Sequence, residues 1–340
     1  MHNLYIGLFI SLSLIALSVR GKKTNKIIFL LLLLILVLLA TFRPDTMRDY
    51  MEYAAFFSAD EENLKFEFGF QWFVHSLNTI TYEPLFFFFI FALFSVGFRL
   101  FFLYKYAPFF WVSVVVYLSN VFILHDMIQL RAAIASVALL WSTIYIYQKK
   151  FKHFILIVIL ASLFHYSAIG IIPFYFLSSK NVCSKWVYFI IPLSYAMYIL
   201  GVRLGGLVQY IPVDFVQNLY GLYTKSAIYK EESVNVFNAL QLFRCLIFYV
   251  ILYYSKTIFN HAQYIYLYLK IYALGLSALV LLSDIPTFAF RIGELYQSIE
   301  IVLIPLLVYA FKSKSIGKGI VLFIASLIVS INIFYIKLLD

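Results

Sequence analysis

Arginine side chains that flank or interrupt apolar segments are the residues of this sequence best suited to chemistry. The planar guanidinium fork binds two phosphate oxygens at once, a geometry that lysine does not offer. An arginine two turns inside an apolar helix costs roughly 3 kcal/mol if it faces lipid, so it needs a polar partner. The sequence predicts an anion-binding group, which contains Arg43, Arg48, Arg131, Arg244, Arg291 and Tyr50. The alternative is that each arginine pairs with a nearby carboxylate, as Arg291 could with Glu294, or with a lipid headgroup.

Proton acceptors are fewer than cations in the polar segments. The candidates are Asp49, Glu67 and His165, because carboxylates and imidazole are the usual general bases. A lone histidine in an apolar run is otherwise a satisfied core residue. The acids are dispersed, the histidines lack ligand spacing, and Cys183 and Cys245 are isolated. The sequence therefore predicts neither a metal site nor a cofactor.

The elements that must position these residues are membrane helices. The chain is 64% hydrophobic and only 12% charged, with a mean hydropathy of +0.93, which excludes a soluble globular domain. We predict an all-α polytopic membrane protein with about 11–12 transmembrane helices and a single domain spanning residues 1–340. The apolar spans are 3–19, 26–42, 84–103, 108–124, 128–147, 152–177, 186–200, 237–255, 264–283, 292–311 and 316–336.

Lysine-rich connections orient the spans, because basic residues stay on the cytoplasmic side. "RGKKTNK" after the first span and "QKKFKH" at 148–153 both belong inside. The N-terminus and the loops 43–83 and 201–236 then lie outside. The first span, 3–19, lacks a basic leader and a cleavage site and is predicted to be a retained helix.

One further crossing is needed to keep the later lysine-rich segments inside. We place it in "FKHFILIVILASLFHYSAIGIIPFYFL", where His165 and Pro173 interrupt an apolar run. The segment 152–178 is predicted to be a broken or re-entrant helix with His165 near its tip. Non-helical backbone at membrane depth is tolerated beside a watery cavity, so the break indicates one.

Two amphipathic segments in the first external loop complete the predicted architecture. After Met47, apolar residues recur at helical spacing at Tyr50, Met51, Ala54 and Phe57. A second apolar stripe follows at Phe66, Phe70, Phe73, Leu77 and Ile80. Both patterns predict helices lying in the membrane interface, and we call them the roof helices.

Four short motifs in this order resemble those of a known family. "RPDTMRDYMEY", "FEFGF", "QLRAAIA" and "LASLFHYSAI" are similar to segments of the EpsG-like branch of the bacterial Wzy-type O-antigen polymerases. The resemblance covers residues 41–178 best, and Ala132 departs from the amide residue often found after the arginine. It implies a glycosyltransferase of the GT-C kind at the periplasmic face of the bacterial inner membrane.

The resemblance also implies the substrate class and roles for the candidate residues. A growing glycan would leave undecaprenyl pyrophosphate and join a hydroxyl of the next lipid-linked oligosaccharide. Arginines would neutralise the leaving diphosphate without a metal. GT-C enzymes carry an acidic residue in the first external loop, which favours Asp49 as the base over Glu67 and His165. The expected partners are the lipid-linked oligosaccharides, the bilayer and a chain-length regulator protein, and no nucleic acid.

Other functions are compatible with buried arginines. A lipid-linked oligosaccharide flippase or another transporter would carry them in a central cavity, but such proteins usually show internal repeats, and none is evident in this sequence. An O-antigen ligase or a membrane acyltransferase would share the histidine, the arginines and the many spans. A purely structural membrane scaffold would have no need for arginines buried at a cost in free energy.

Overall fold

Helices make up most of the described part of the chain. The computed structural model describes residues 1–19, 24–59, 66–177, 185–206 and 234–339, and within these ranges there is no strand. The prediction of an all-α polytopic membrane protein is confirmed. The α-helices are α1 (His2–Ser18), α2 (Lys26–Thr41), α3 (Tyr50–Ala59), α4 (Phe68–Asn78), α5 (Pro84–Tyr106), α6 (Phe110–Ser119), α7 (Leu130–Tyr147), α8 (Phe151–Ser162), α9 (Trp186–Ile199), α10 (Ala239–Tyr253), α11 (Ser255–Phe259), α12 (Ile265–Leu281), α13 (Pro286–Gln297), α14 (Glu300–Leu303) and α15 (Lys314–Ser330).

Other helix types extend or link these elements. Two π-helices span Phe122–Ile128 and Ile331–Tyr335, and two 3₁₀ helices span Tyr166–Phe176 and Ile304–Ala310. Every apolar span predicted from the sequence contains helix in the structure, and two of them, 108–124 and 152–177, are broken.

Several helices have the length and composition of membrane spans. Within the described ranges, four stretches are long and apolar enough to cross a bilayer: Pro84–Tyr106, Leu130–Tyr147, Pro286–Ala310 and Lys314–Tyr335. Further apolar helices, among them α1, α2 and α12, have 10–17 residues. Large apolar side chains on the outer helices remain exposed, which suits contact with lipid.

The predicted break at His165 is present. α8 ends at Ser162, His165 is extended (φ −156°, ψ 117°), and a 3₁₀ helix then runs from Tyr166 to Phe176. The Tyr175 hydroxyl donates to the carbonyl of Lys149, 3.0 Å away, so the second arm returns to the start of α8. The two arms therefore form an antiparallel hairpin with His165 near its tip.

A second break was not predicted. The span expected at 108–124 divides into α6 and the π-helix Phe122–Ile128, which meet at a bend of 67°. The Asn332 side-chain amide donates to the Ser119 carbonyl and to Asn120 Oδ1, each at 2.9 Å. These bonds satisfy backbone and side-chain oxygens that the break exposes, and this compensation allows a bend inside a membrane bundle.

A buried ion pair attaches the π-helix to α5. Arg99 Nε lies 3.2 Å from Asp126 Oδ2, and neither side chain is accessible. Tyr117 donates to the same carboxylate oxygen at 2.7 Å, and Arg99 Nη2 donates to Ser136 Oγ at 2.9 Å. Because each charge is paired and hydrogen-bonded, the pair is tolerated in the apolar core.

The roof helices correspond to α3 and α4, which pack on α5 through aromatic rings. The ring of Phe56 lies 4.2 Å from that of Phe66, and the ring of Phe57 lies 5.2 Å from that of Phe87. Phe70 is fully buried between these helices. Stacked and edge-to-face rings at such distances add to the free energy gained by burial alone.

The buried faces of the roof helices differ in part from the predicted stripes. Met51 and Ile80 were expected on the apolar faces, but they are 67% and 70% exposed. Tyr53, Phe56 and Val74 are buried in their place. α4 ends at Asn78, so Ile80 lies beyond the helix. α3 is rotated so that Tyr53 and Phe56 pack on the rings of Phe66 and Phe70, which buries more apolar area than burial of Met51 would.

The two long predicted loops are described to different extents. The loop 43–83 contains α3 and α4. Residues 207–233 of the predicted loop 201–236 lie outside the described residues.

Candidate functional site

The Glu67 carboxylate joins three separate elements of the bundle. Its Oε2 atom lies 2.6 Å from Arg131 Nη1, at the start of α7. Its Oε1 atom lies 3.0 Å from His165 Nδ1 and accepts a hydrogen bond from the Tyr166 N–H at 3.3 Å. Two predicted proton acceptors and one predicted anion-binding arginine therefore meet at this carboxylate.

These partners set the charge of Glu67. Burial raises the pKa of the carboxyl group, but the hydrogen bond from His165 and the charge of Arg131 outweigh burial and lower the pKa to about 2. Glu67 is ionised at neutral pH and is a weak proton acceptor. Its carboxylate is suited to holding Arg131 and His165 in place.

The start of α4 explains why this carboxylate is available. Glu67 is the N-cap residue of α4, but its side chain makes no capping hydrogen bond. The carbonyl of Leu163, at the hairpin tip, instead accepts from the N–H groups of Gly69 (2.9 Å) and Phe70 (3.3 Å). Because the tip satisfies these helix-end donors, the Glu67 carboxylate is left to bind Arg131 and His165.

Gly69 allows this close approach, and we expect Gly69→Ala to disrupt it. A Cβ atom at position 69 would lie 2.6 Å from Leu163 Cβ and 2.8 Å from the Leu163 carbonyl oxygen. Backbone at the tip would have to move, at a cost of about 1–3 kcal/mol. The expected result is a lower unfolding temperature of the purified protein in detergent, measured by intrinsic fluorescence.

Gly97→Ala is the matched control for Gly69→Ala. A Cβ atom at Gly97, in α5, would make only an ordinary contact of 3.9 Å with Leu33. Alanine is the better helix former, so this variant should be at least as stable as the parent. An unfolding temperature of Gly69→Ala equal to that of Gly97→Ala would contradict the proposed role of the close approach.

Arg131 occupies a position that is unfavourable for a cation. It lies in the first turn of α7, where the helix dipole disfavours positive charge, and the Glu67 carboxylate offsets this effect. The guanidinium carbon lies 4.7 Å from the centre of the Phe66 ring. Within the described part of the chain, the buried Nε atom has no hydrogen-bond partner. Arg131 therefore keeps donor capacity beyond its bond to Glu67.

A second charged group surrounds Asp49, just before α3. Asp49 has left-handed backbone geometry (φ 64°), which an aspartate tolerates better than most residues. Partial desolvation and the nearby Glu52 raise the pKa of Asp49, whereas Arg48, Arg131 and Arg291 act in the opposite direction. Three of the predicted anion-binding arginines thus act on one carboxylate at the start of α3.

Glu294 connects this group to α13. Its Oε2 atom accepts a hydrogen bond from Gln129 Nε2 at 3.0 Å, and the charges of Arg244, Arg48 and Arg291 act on its carboxylate. The hydrogen-bond partner of Glu294 is therefore a neutral amide, that of Gln129 at the start of α7.

Arg43 and Tyr50 lie at the edge of the roof. The Arg43 guanidinium carbon sits 4.1 Å from the centre of the Phe88 ring, and its Nη1 donates to the Met127 carbonyl. Burial lowers the pKa of Arg43 to about 10, although the nearby Tyr53 acts to raise it. The ring of Tyr50 lies 4.9 Å from that of Phe88. Arg43 therefore remains charged at neutral pH and holds the C-terminal end of the π-helix.

Arg244 binds a carboxylate in the bundle interior. Its Nε and Nη2 atoms donate to the two oxygens of Glu300, each at 3.1 Å. Asn120 Nδ2, at the α6 break, donates to Glu300 Oε1 at 3.0 Å. The fork that was predicted to bind an anion is occupied by this glutamate.

Sequence interpretation missed Glu300, Gln129 and the pairing of Arg99 with Asp126. Glu300 is an acid within the apolar span 292–311, and an acid at membrane depth is in itself a signal for a buried partner. Gln129 carried no comparable signal, because its contact with Glu294 depends on how α7 and α13 pack. No group of three His, Cys, Asp or Glu residues in the described ranges could hold a metal ion.

Comparison with known proteins identifies the family of this chain. The chain is 23% identical over 336 residues to the amylovoran biosynthesis protein AmsC of Erwinia amylovora, covering 92% of this chain and 87% of that protein. No solved structure matches the chain significantly. The family model of the EpsG family matches residues 26–340. A match over nearly the whole sequence means that the chain belongs to the EpsG family.

Proposed function

We propose that this protein is a polysaccharide polymerase that uses lipid-linked substrates. It transfers a growing glycan from undecaprenyl pyrophosphate to a hydroxyl of the next lipid-linked oligosaccharide repeat unit. Membership of the EpsG family supports this reaction class, and so does the similarity to a protein of amylovoran biosynthesis. The reaction needs no metal, because protein cations neutralise the leaving diphosphate.

The observation that carries the proposal is the convergence of arginines beside the Glu67–His165 pair. Arg48, Arg131 and Arg291 all act on Asp49, and Arg131 also binds Glu67 directly. A leaving diphosphate is a concentrated anion, and preorganised cations stabilise the charge that develops on it in the transition state. We assign the diphosphate to Arg48, Arg131 and Arg291, because these three cations act on the same carboxylate, Asp49. Arg244 binds Glu300 in the bundle interior.

The same geometry supports a position for the substrates. The roof helices α3 and α4 lie against α5, and α4 also contacts the hairpin tip, so the charged group is covered on one side. Lys149, Lys150 and Lys152 lie at the opposite end of the hairpin from His165. With lysines on the cytoplasmic side, the site faces the periplasm from the bacterial inner membrane, where lipid-linked repeat units are joined.

An in vitro polymerisation assay tests the proposal. Purified protein is incubated in detergent with synthetic undecaprenyl-pyrophosphate-linked repeat units in the presence of EDTA, and the products are separated on a gel. We expect a ladder of products that grows by whole repeat units. The same oligosaccharide on undecaprenyl monophosphate should give no ladder, because the arginines then lack a diphosphate leaving group.

Two other results would replace the proposal. Transfer of the glycan only to a lipid A core acceptor would identify an O-antigen ligase. Movement of the lipid-linked substrate across proteoliposomes, without formation of new glycosidic bonds, would identify a flippase.

A further inference from the structure

The Glu67–His165 contact fixes which imidazole nitrogen is available for chemistry. Both side chains are buried, and Nδ1 lies 3.0 Å from Glu67 Oε1. An ionised carboxylate only accepts hydrogen bonds, so Nδ1 carries the proton in this contact. In a neutral imidazole, the lone pair is then on Nε2.

Glu67 itself is poorly suited to accept a proton from substrate. Its two oxygens already contact Arg131, His165 and the Tyr166 N–H. A carboxylate stabilised by several donors loses basicity, as the lowered pKa of Glu67, about 2, also indicates. Of the two buried partners, His165 is the better candidate for the base, because its Nε2 atom is not the one that contacts Glu67.

The charges facing His165 show why a carboxylate is needed there. Arg131 on α7 and Arg291 on α13 are cations that disfavour a protonated imidazole, and His125 on the π-helix also interacts with His165. Glu67 on α4 is the anion in contact with the ring. Without Glu67, an imidazolium formed beside two arginines would be strongly destabilised.

We propose that Glu67 is a positioning residue that holds His165 with its lone pair on Nε2, and that Nε2 accepts the proton of the acceptor hydroxyl. This inference rests on the proposed polymerase function and assigns the base within it. Asp49, the other candidate, then belongs to the group of charges around the diphosphate.

The proposed step balances in atoms and charge. The acceptor hydroxyl oxygen forms a bond to the anomeric carbon of the growing glycan, and the bond from that carbon to the diphosphate oxygen breaks. The electron pair of the broken bond leaves with undecaprenyl pyrophosphate, near Arg48, Arg131 and Arg291. The hydroxyl proton passes to His165 Nε2, and Glu67 stabilises the resulting imidazolium at Nδ1.

The first test separates binding from catalysis in Glu67→Gln. Glutamine retains the size of the side chain but cannot stabilise an imidazolium, and loss of a general base typically costs about 10²–10⁴-fold in rate. We expect kcat for repeat-unit transfer to fall by at least about 10²-fold with KM changed little. His165→Ala should show a similar loss, and added imidazole should restore part of its kcat.

His153→Ala is the matched control, because His153 is an exposed histidine on α8 that stacks on Tyr145. It should retain the parent kcat and should not respond to imidazole. Full kcat in His165→Ala, or no response of its kcat to imidazole, would overturn the assignment of the base.

The second test does not depend on activity. Nitrogen NMR of protein labelled with ¹⁵N-histidine reports the tautomer of each ring, and the His165 signals are those missing from His165→Ala. We expect a lone pair on Nε2 in the parent protein and a changed tautomer population in Glu67→Leu, whose side chain has no hydrogen-bond acceptor. Unchanged signals in Glu67→Leu would overturn the positioning role. If the parent protein makes no polymer while the tautomer is as expected, the proposed function fails and the Glu67–His165 pairing stands.

Discussion

Glu300→Gln is expected to destabilise the protein by about 3–5 kcal/mol, because it leaves Arg244 as an uncompensated charge in the bundle core. Glu300 is completely buried, and both of its oxygens accept hydrogen bonds from Arg244. Glutamine fills the same volume but supplies neither the negative charge nor the second acceptor oxygen. The unfolding midpoint in detergent, measured with increasing SDS fraction or temperature, should fall sharply.

Removing the cation as well should restore most of this stability. In the double variant Arg244→Met with Glu300→Gln, no buried charge remains, and the glutamine oxygen can still accept from Asn120. Replacement of a buried ion pair by neutral residues of similar volume is often tolerated. Glu83→Gln, at an exposed position without a capping hydrogen bond, is the control for loss of a carboxylate.

The double variant also separates two roles of Arg244. If the arginine serves only to pair with Glu300, the restored protein should polymerise repeat units at a rate close to that of the parent. A double variant that is stable but inactive would show instead that Arg244 takes part in substrate binding, as its place in the sequence predicted. A single variant as stable as the parent would contradict the structural role of the pair.

The fold was largely accessible from the sequence because the bilayer imposes simple rules on it. Apolar spans must be largely helical to satisfy their backbone, and all those predicted contain helix. The hairpin was predictable because the lysine pattern demanded a further crossing, and His165 and Pro173 marked where the helix breaks. The break at Asn120 lacked such a signal, since no proline is present and the lysines required no extra crossing there.

The candidate site was accessible only in part. Residue type and position singled out Arg131, Glu67 and His165 as separate candidates, but their meeting depends on long-range packing. Glu67 is 64 residues from Arg131 and 98 from His165 along the chain. The contact is set by Gly69, which brings α4 against the hairpin tip at Leu163. Sequence patterning reports the period of each helix and leaves the rotation and docking of neighbouring helices undetermined.

The packing of α4 against the hairpin tip also explains how one acid, Glu67, can contact two other residues of the site. Glu67 offsets the charge of Arg131 at the start of α7 and orients His165 at the hairpin tip. Movement of α4 relative to the tip would therefore change the cation and the proposed base together. In the proposed mechanism, the diphosphate subsite and the His165 lone pair would therefore change together.

Arg291→Ala is expected to reduce kcat for polymerisation by about 10²–10³-fold, the loss typical when a preorganised group that stabilises transition-state charge is removed. Arg291 is the cation on α13 whose charge acts on Asp49, on His165 and on Glu294. It therefore lies near both the proposed diphosphate subsite and the proposed base. Initial rates with the synthetic lipid-linked repeat unit measure the effect.

Inhibition by inorganic pyrophosphate distinguishes loss of anion binding from a general defect. Arg291→Ala should need a higher pyrophosphate concentration for half-inhibition of its residual activity, and Arg291→Lys should lie between the variant and the parent, because lysine keeps the charge without the fork. Arg203→Ala is the control, since Arg203 bonds the Tyr198 carbonyl at 2.6 Å and stacks on the ring of Tyr198. Equal sensitivity to pyrophosphate in Arg291→Ala, Arg203→Ala and the parent would place the diphosphate elsewhere and would remove the main support for a polymerase mechanism at this site.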